Sequence, residues 1–361
     1  MHRLILLALM YLLAPWTMAL ANDEVIPMRI TAVQGEGMVY VRLLHQLKQN
    51  IENGTQGRIR VELLTNGAGG SEIDALKNQI RGNVEGGWIS VLTLAQAFKA
   101  FRVMTLPMVF NDAEQLNHFV GSKLDTAIRA TTKTKNIKVL GYGSYGFYGI
   151  LLFENMKKQK TRPGNDALDW MNHQTIRVPE DDWIGTVQAT LPGKKVQVPS
   201  VDLMKAMDSG WITGLLITPE LVANKELMQK AAYFLNLRHL HAWSAFSVNQ
   251  TWLESLPREY QKVVQHEVRA MCQQALDGGL AHHDALVAHW YETRHPRVVQ
   301  TSWDRMAILV QPLVEKTIQQ MERLLGPSSR VSILWENNYK FSNTSTANVV
   351  SMNHVNQSGL P

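Results

Sequence analysis

The stretch QTIRVPEDDW (174–183) sets one arginine, Arg177, between isoleucine and valine, with Pro179 and three acids directly after it. A guanidinium stays charged at physiological pH, so inside a strand it needs a partner. Proline has no N–H, so the ladder breaks at Pro179 and the strand end can face a cleft. Two kinds of partner fit. Either Glu180, Asp181 or Asp182 folds back onto Arg177, or a carboxylate from outside the chain is gripped by two parallel charge-assisted hydrogen bonds. The residues alone weigh the two equally.

Other polar candidates fall where strands should end, which is where ligands of open α/β sheets bind. Ser90 closes the run GGWIS and Thr218 closes WITGLLIT. Glu36 sits within GEG after the first strand, where glycines permit close backbone approach. Each also reads as an ordinary turn or cap residue. Trp183, Trp88 and Trp211 are candidate walls for a cleft, with a place in a core as the simpler reading. Twelve histidines raise the question of a metal. His282, His283 and His289 share a helix, but the residues four after His282 and His283 are Leu286 and Val287, and no HExxH motif occurs. No metal is expected.

Catalytic signatures are missing too. The chain has no G-x-S-x-G elbow and no P-loop, and GYGSYGFYG (141–149) lacks the helix that phosphate binding requires. Cys272, the only cysteine, falls mid-helix, which favours a core role. Neither an enzyme nor a cofactor is expected. The net charge of +5 comes from scattered basic residues without a concentrated stripe, which argues against nucleic acid.

The chain opens MHRLILLALMYLLAPWTMALAN, with Arg3, a short apolar run and Ala19-Leu20-Ala21. That is the pattern of a secretory signal peptide over residues 1–21, leaving Asn22 as the mature N-terminus in the periplasm. A single cysteine excludes an internal disulfide.

These residues have to be positioned by a sizeable scaffold, and 361 residues exceed a typical single core, so two domains are expected. PMRITAV (27–33), RIRVELL (58–64) and GGWISVLTL (86–94) read as strands, separated by helical patterns over 35–57 and 71–82. That alternation predicts an α/β fold with a helix-covered parallel sheet. NIKVLGYGS and YGILLFEN read as strands crossing from the first domain to the second, which then holds TIRVP, KKVQVP, a helix over 200–210 and WITGLLITP. Residues 258–294 predict a long helix, kinked or split at Gly278-Gly279, and 305–326 another that contains Pro312. The expected division is 22–150 for the start of domain I, 151–240 for that of domain II, and 241–330 returning to both. The Asn/Ser/Thr-rich segment 341–361 is expected to be a disordered tail.

Taken in order, five segments resemble the substrate-binding subunits of TRAP-type (tripartite ATP-independent periplasmic) transporters, the DctP-like family. They are TQGRIRVELLTNGAGGSEIDALKNQIRGNVEGGWIS, TLPMVFNDAEQLNHFV, TIRVPEDD, VQVPSVDLMKAMDSGWITG and WLESLPREYQKVVQHEV. The resemblance covers roughly 27–330 and implies a two-domain periplasmic binding protein with a hinge of crossing strands. It implies capture of a small organic anion, with Arg177 on the ligand carboxylate, and delivery to TRAP-type membrane permease subunits. A sensor input or scaffold of the same fold is the alternative, and an exported enzyme a more distant one.

The sequence departs from the family in two places. Ile212-Thr213-Gly214 and Leu215-Leu216-Ile217 stand where Asp-Gly and a polar strand end are usual, and YGILLFEN lacks the second arginine often found in the crossing strand. The departures point to a monocarboxylate with an apolar or aromatic body, because a second buried carboxylate without a partner costs several kcal/mol.

Overall fold

The computed structural model describes residues 25–326 except 37, 154–163, 200–201 and 223–224, together with 329 and 331. The expected signal peptide and tail lie outside these residues.

Strand β1 (Ile26–Thr31) points Met28 and Ile30 into the core. Helix α1 (Val39–Gly54) buries a stripe of Tyr40, Val41, Leu44, Leu47 and Ile51 against it, the spacing of an amphipathic helix. Strand β2 (Ile59–Leu64) follows, then helix α2 (Glu72–Arg81). Ser71 opens α2 with a capping box closed by Asp74, and Gly82 ends it at φ 79°, a left-handed value open to glycine. Strand β3 (Gly86–Ser90) lies parallel beside β1, as does β2 on its other side.

The second half of the sheet is built from short parallel strands. These are β5 (Thr175–Val178), β6 (Lys194–Gln197) and β7 (Gly214–Ile217), with β5 paired to both others. Two long antiparallel strands join the halves: β4 (Ile137–Phe153) and β8 (Ala231–Asn249). The sheet order is β2-β1-β3-β8-β4-β7-β5-β6, with β9 (Arg297–Gln300) added along β8. Strand β8 pairs β3 through Ser244–Val248 and β9 through Tyr233–Asn236, so it serves one half with each end. Where the halves meet, β4 loses register between Ser144 and Phe147. Gly146 there has φ 76°, and Arg238 of β8 has φ 47°.

Two further helices cover the sheet, Arg258–Thr293 and Trp303–Leu325. The first is hydrogen-bonded as one helix through Gly278-Gly279. Its glycine has a packing reason: a Cβ on Gly279 would fall 1.8 Å from the Ser144 carbonyl oxygen. The helix therefore presses on β4 where its register slips. The second carries Pro312 within it, on the solvent side.

Several sequence expectations need correction. The run 86–94 is not one strand: it stops at Ser90, whose Oγ accepts from the Leu92 N–H at 3.2 Å and starts a helix over Val91–Ala97. The two strands expected between 136 and 153 are the single strand β4. Strand β8, which carries His239 and His241, spans 19 residues, far longer than any strand expected in this part of the chain.

Candidate functional site

Parallel strands aim their carboxyl ends the same way, so in each half the loops after the strands gather on one rim. Arg177 lies on β5 one residue before its end and is buried. Its Nε–H donates to the Val198 carbonyl at 2.9 Å, which fixes the stem and orients the guanidinium. Burial lowers the Arg177 pKa, while Glu180 and the Tyr148 hydroxyl raise it. Of the three acids after Pro179, Asp181 has a separate task. Its Oδ1 accepts from the Ile184 N–H at 2.5 Å and caps the helix Asp182–Gln188. Asp182 is exposed, and Glu180 is the acid whose field reaches Arg177.

Tyr148 links the halves. It stands on β4, hydrogen-bonds to the Ser90 side chain, and senses Arg177 on one side and Glu72 on the other. Desolvation first, then Glu72, pushes its phenol well above the usual tyrosine range. Glu72, at the start of α2, accepts from Thr93 Oγ1 at 2.7 Å and from the Ser90 N–H at 3.3 Å. Burial raises its pKa despite these bonds. Arg177, Tyr148, Ser90 and Glu72 thus form one polar group across the junction.

A second group lies beside it. The Trp88 indole donates to the Tyr145 hydroxyl at 2.6 Å, and Tyr40 stacks on Trp88 with ring centres 5.7 Å apart. The Tyr40 hydroxyl donates to the Ser144 carbonyl. Glu220, on the short helix Pro219–Val222 after β7, accepts from the Val39 N–H at 3.3 Å and lies within reach of Tyr40. Burial raises the Glu220 pKa, which the Val39 N–H and Arg42 oppose.

The remaining candidates divide. Thr218 sits at the end of β7, 2% exposed, with no hydrogen-bond partner for Oγ1. Trp183 is buried, donates to Thr105 Oγ1 at 2.7 Å, and carries the Arg102 guanidinium 4.8 Å above its ring. With Arg102, Glu180, Asp181 and Asp182 it lines a pocket of about 290 Å³. Trp88 belongs to the aromatic group above, whereas Trp211 is exposed. Glu36 stands apart on the surface, bound to Thr65 Oγ1 at 2.5 Å and His45 Nε2 at 2.7 Å, and those bonds lower its pKa. Leu215, Leu216 and Ile217 are core residues, 1%, 3% and 5% exposed, and do not set the character of the cleft.

Sequence reasoning missed Tyr148, Tyr145, Glu72 and Glu220. The tyrosines lie in GYGSYGFYG, a run whose glycines dominate its reading, and Glu72 stands in the first turn of a helix, where an acid is ordinary. A larger pocket of about 390 Å³ lies away from the strand ends, beside Asp125, Arg129 and Cys272. Its polar groups are spent on one another: Arg129 Nε and the Tyr142 hydroxyl each reach Asp125 Oδ1 at 2.8 Å. Burial pushes the Cys272 thiol up to about 12, so it is inert as a nucleophile.

A two-domain α/β fold with a buried arginine near the end of one of its parallel strands is the class this geometry defines. The chain belongs to the DctP family of bacterial extracellular solute-binding proteins, family 7, whose model matches residues 31–283. Among solved structures it is similar to a TRAP periplasmic solute binding protein from Anaerococcus prevotii with bound α/β D-glucuronate (16% identity, TM-score 0.76, 88% of this chain and 99% of that one). It is similar also to one from Sulfitobacter sp. NAS-14.1 with bound β-D-galacturonate (18% identity, TM-score 0.72, 86% and 99%). A curated relative, an uncharacterized protein of Haemophilus influenzae, is 24% identical over 224 residues. That match takes in 62% of this chain and 65% of the relative's length.

Proposed function

We propose that this protein is a periplasmic receptor that holds a small organic acid between its two domains and delivers it to a TRAP-type membrane permease. The observation that carries the reading is the placement of Arg177. It is buried at the carboxyl end of β5, with its stem held by Val198 and with Tyr148 connecting it to Ser90 of the other half. A planar guanidinium held this way presents parallel donors to a carboxylate, and no neutral group binds it as well. The uronates bound to the two similar TRAP proteins carry such a carboxylate.

Ser90, Thr218 and Trp183 are proposed ligand neighbours on the same rim; Glu36 keeps at most an outer position. We keep the domain boundaries near 150 and 240 and set the parting at the β4 register shift between Ser144 and Phe147 and at Arg238 of β8, a reading supported by the irregular backbone there. Export follows from the leader, with Asn22 first in the mature chain, and intact mass of protein from an exporting host checks it: a retained Met1 contradicts it.

Thermal shift of the mature protein against carboxylic acids tests the receptor reading, because a ligand that binds only the folded state raises its melting temperature. D-glucuronate and simple monocarboxylates are the first probes. Arg177→Lys is expected to weaken binding by more than about tenfold with little change in apo stability, since a charge-assisted bond carries roughly 1.5–3 kcal/mol. A screen in which no acid shifts the wild-type protein defeats the receptor reading.

A further inference from the structure

The long helix Arg258–Thr293 is anchored in both halves. Val264, Val268 and Met271 pack with β1 and α1, whereas Val287 and Trp290 pack with β7 and with Phe234 of β8. Between these anchors His283 ties the helix to β4 at its register slip: Nδ1 accepts from the Phe147 N–H at 3.2 Å. The fit is tight, since a Cβ on Gly146 would fall 2.3 Å from that of His283. A second histidine, His241 on β8, meets the same turn of β4. Its Nε2 lies 2.8 Å from Ser144 Oγ, which accepts from the Gly146 N–H at 2.9 Å and so has its hydroxyl hydrogen left for His241. Both rings meet Phe147 edge-on, with centres 5.3 and 5.6 Å away. Both are buried, and His241 Nδ1 and His283 Nε2 have no hydrogen-bond partner among the described residues.

This network assigns the protons. Each ring spends one nitrogen as an acceptor, so both rings are neutral and carry hydrogen on the unpartnered nitrogen. A second proton on His283 has to go to Nδ1, where it meets the Phe147 N–H and the bond is lost. The surrounding charges oppose that proton. Arg238 of β8 lies 4.4 Å from the centre of the Phe147 ring, and it acts against a cation on either histidine, as His282 does on His283. Asp284 of the helix is engaged by Arg238 at 2.5 Å, and Tyr40 of α1 gives its hydroxyl hydrogen to the Ser144 carbonyl. Burial first, then these cations, lower the His283 pKa to about 3 and hold that of His241 well below its ordinary value.

We propose that His283 is an acid-sensitive catch between the long helix and β4, which holds the two halves in their meeting arrangement while neutral and releases them when protonated. The inference rests on the domain parting proposed above and adds a control of the receptor by pH. Because the helix is anchored in both cores, moving one half against the other has to shift it across β4 near this point. A ring that reaches water there regains a pKa near 6.5, so the loosened form takes up the proton first. The catch is therefore fully engaged above pH 6.5 and weakens as pH falls toward 3. A ligand held between the halves is released more readily in acid.

Two measurements on the ligand-free mature protein, each at pH 7.5 and pH 5, test this: hydrogen exchange of the Phe147 amide by NMR, corrected for the intrinsic rate, and small-angle scattering. In the wild type, exchange at Phe147 is expected to be about tenfold or more faster at pH 5, which lies about 1.5 units below an ordinary histidine pKa. The radius of gyration is expected to rise with it. His283→Asn keeps an acceptor where Nδ1 stood but does not titrate, and should show neither response. His283→Leu has no acceptor and should resemble the acidified wild type already at pH 7.5. Glu72, Glu220 and His239 titrate alike in all three proteins, so the comparison removes their effect. Melting temperatures at each pH read a folding defect separately, and if the leucine variant does not fold, the wild type and His283→Asn decide. Equal corrected exchange at the two pH values in the wild type overturns the catch, as does an equal acid response in folded His283→Asn. Faster exchange at Phe147 with an unchanged radius overturns its role between the halves. None of these outcomes touches the receptor reading, because no ligand enters either measurement; that reading fails only in the screen of acids.

Discussion

Asp181 and Arg177 stand four positions apart and do separate jobs. Asp181 Oδ1 caps a helix through the Ile184 N–H, while Arg177 donates to Val198 and turns toward Tyr148. Asp181→Ala is therefore expected to cost about 1 kcal/mol of stability, the usual value of an N-cap, with affinity for an acid ligand within about twofold of wild type. Arg177→Lys should give the opposite pattern. Finding both effects in the same variant would return Arg177 to an internal salt bridge. The arginine was legible because its type, its flanking apolar residues and Pro179 all bear on one local question. The choice of partner was not, since a capping acid and a pairing acid look alike in sequence until the backbone places them. His239 offers a second residue-scale outcome. It is buried beside Gln188 Nε2 at 2.9 Å, and burial, helped by Lys195, lowers its pKa to about 3. The unfolded chain, near the ordinary value of 6.5, binds this proton first as pH falls. The neutral ring's contribution is thus complete above pH 6.5 and declines toward pH 3, by about 1.4 kcal/mol per unit. Buried Glu72 and Glu220, with raised pKa values, act in the other sense at lower pH. The comparison with His239→Gln isolates the term: whatever the gap in melting temperature at pH 7.5, it should shift in favour of the variant by pH 5. A gap that stays constant refutes it.

At the scale of elements, the glycine pair of the 258–293 helix makes a sharp contrast. A Cβ on Gly278 meets nothing within 4 Å, whereas one on Gly279 meets the Ser144 carbonyl oxygen at 1.8 Å. Gly278→Ala should stabilise by up to about 0.8–1.0 kcal/mol, the helix propensity difference. Gly279→Ala has to displace backbone and should destabilise by about 1–3 kcal/mol or more. Chemical denaturation of the two single variants checks the pair, and equal effects would mean that the helix does not press on β4. The glycines were visible in sequence, but only their effect on the helix could be reasoned there; the strand against them is more than a hundred positions away. Strand β8 illustrates the same limit. AAYFLNLRHLHAWSAFSVN shows no clean alternation because both faces are covered, and nearly every residue in it is buried. Strands β1, β2 and β3 were legible since each is short, punctuated by glycine or asparagine, and separated by amphipathic helices, the second of which opens with a capping box. Ser90 shows how a boundary escapes: GGWISVLTL is apolar throughout, and only the serine cap separates strand from helix.

At the scale of the whole molecule, loops from the two halves of the sheet touch at two places across the rim. After β7, Glu220 accepts from Val39, which follows β1; after β5, Trp183 donates to Thr105, which follows β3. On the proposed domain parting, opening about the slipped register of β4 and Arg238 separates these pairs, so both favour the arrangement in which the halves meet. A receptor that binds only in that arrangement has an apparent dissociation constant equal to the intrinsic one divided by the fraction closed. Thr105→Val removes the acceptor for the Trp183 indole without altering a residue assigned to the ligand. A hydrogen bond contributes about 0.5–1.5 kcal/mol net. If the ligand-free protein samples open and closed forms comparably, the variant should bind an acid ligand about twofold to tenfold more weakly. Its radius of gyration without ligand should exceed the wild-type value in small-angle scattering, and saturating ligand should make the two curves coincide. Rapid-mixing fluorescence supplies a further discriminator: the variant's lost affinity should appear mainly as slower association at equal ligand concentration, since fewer molecules are poised to close around it. Equal affinity, together with equal radius in the absence of ligand, would place Trp183 and Thr105 within one rigid body, leaving Glu220 and Val39 as the contact that governs closure.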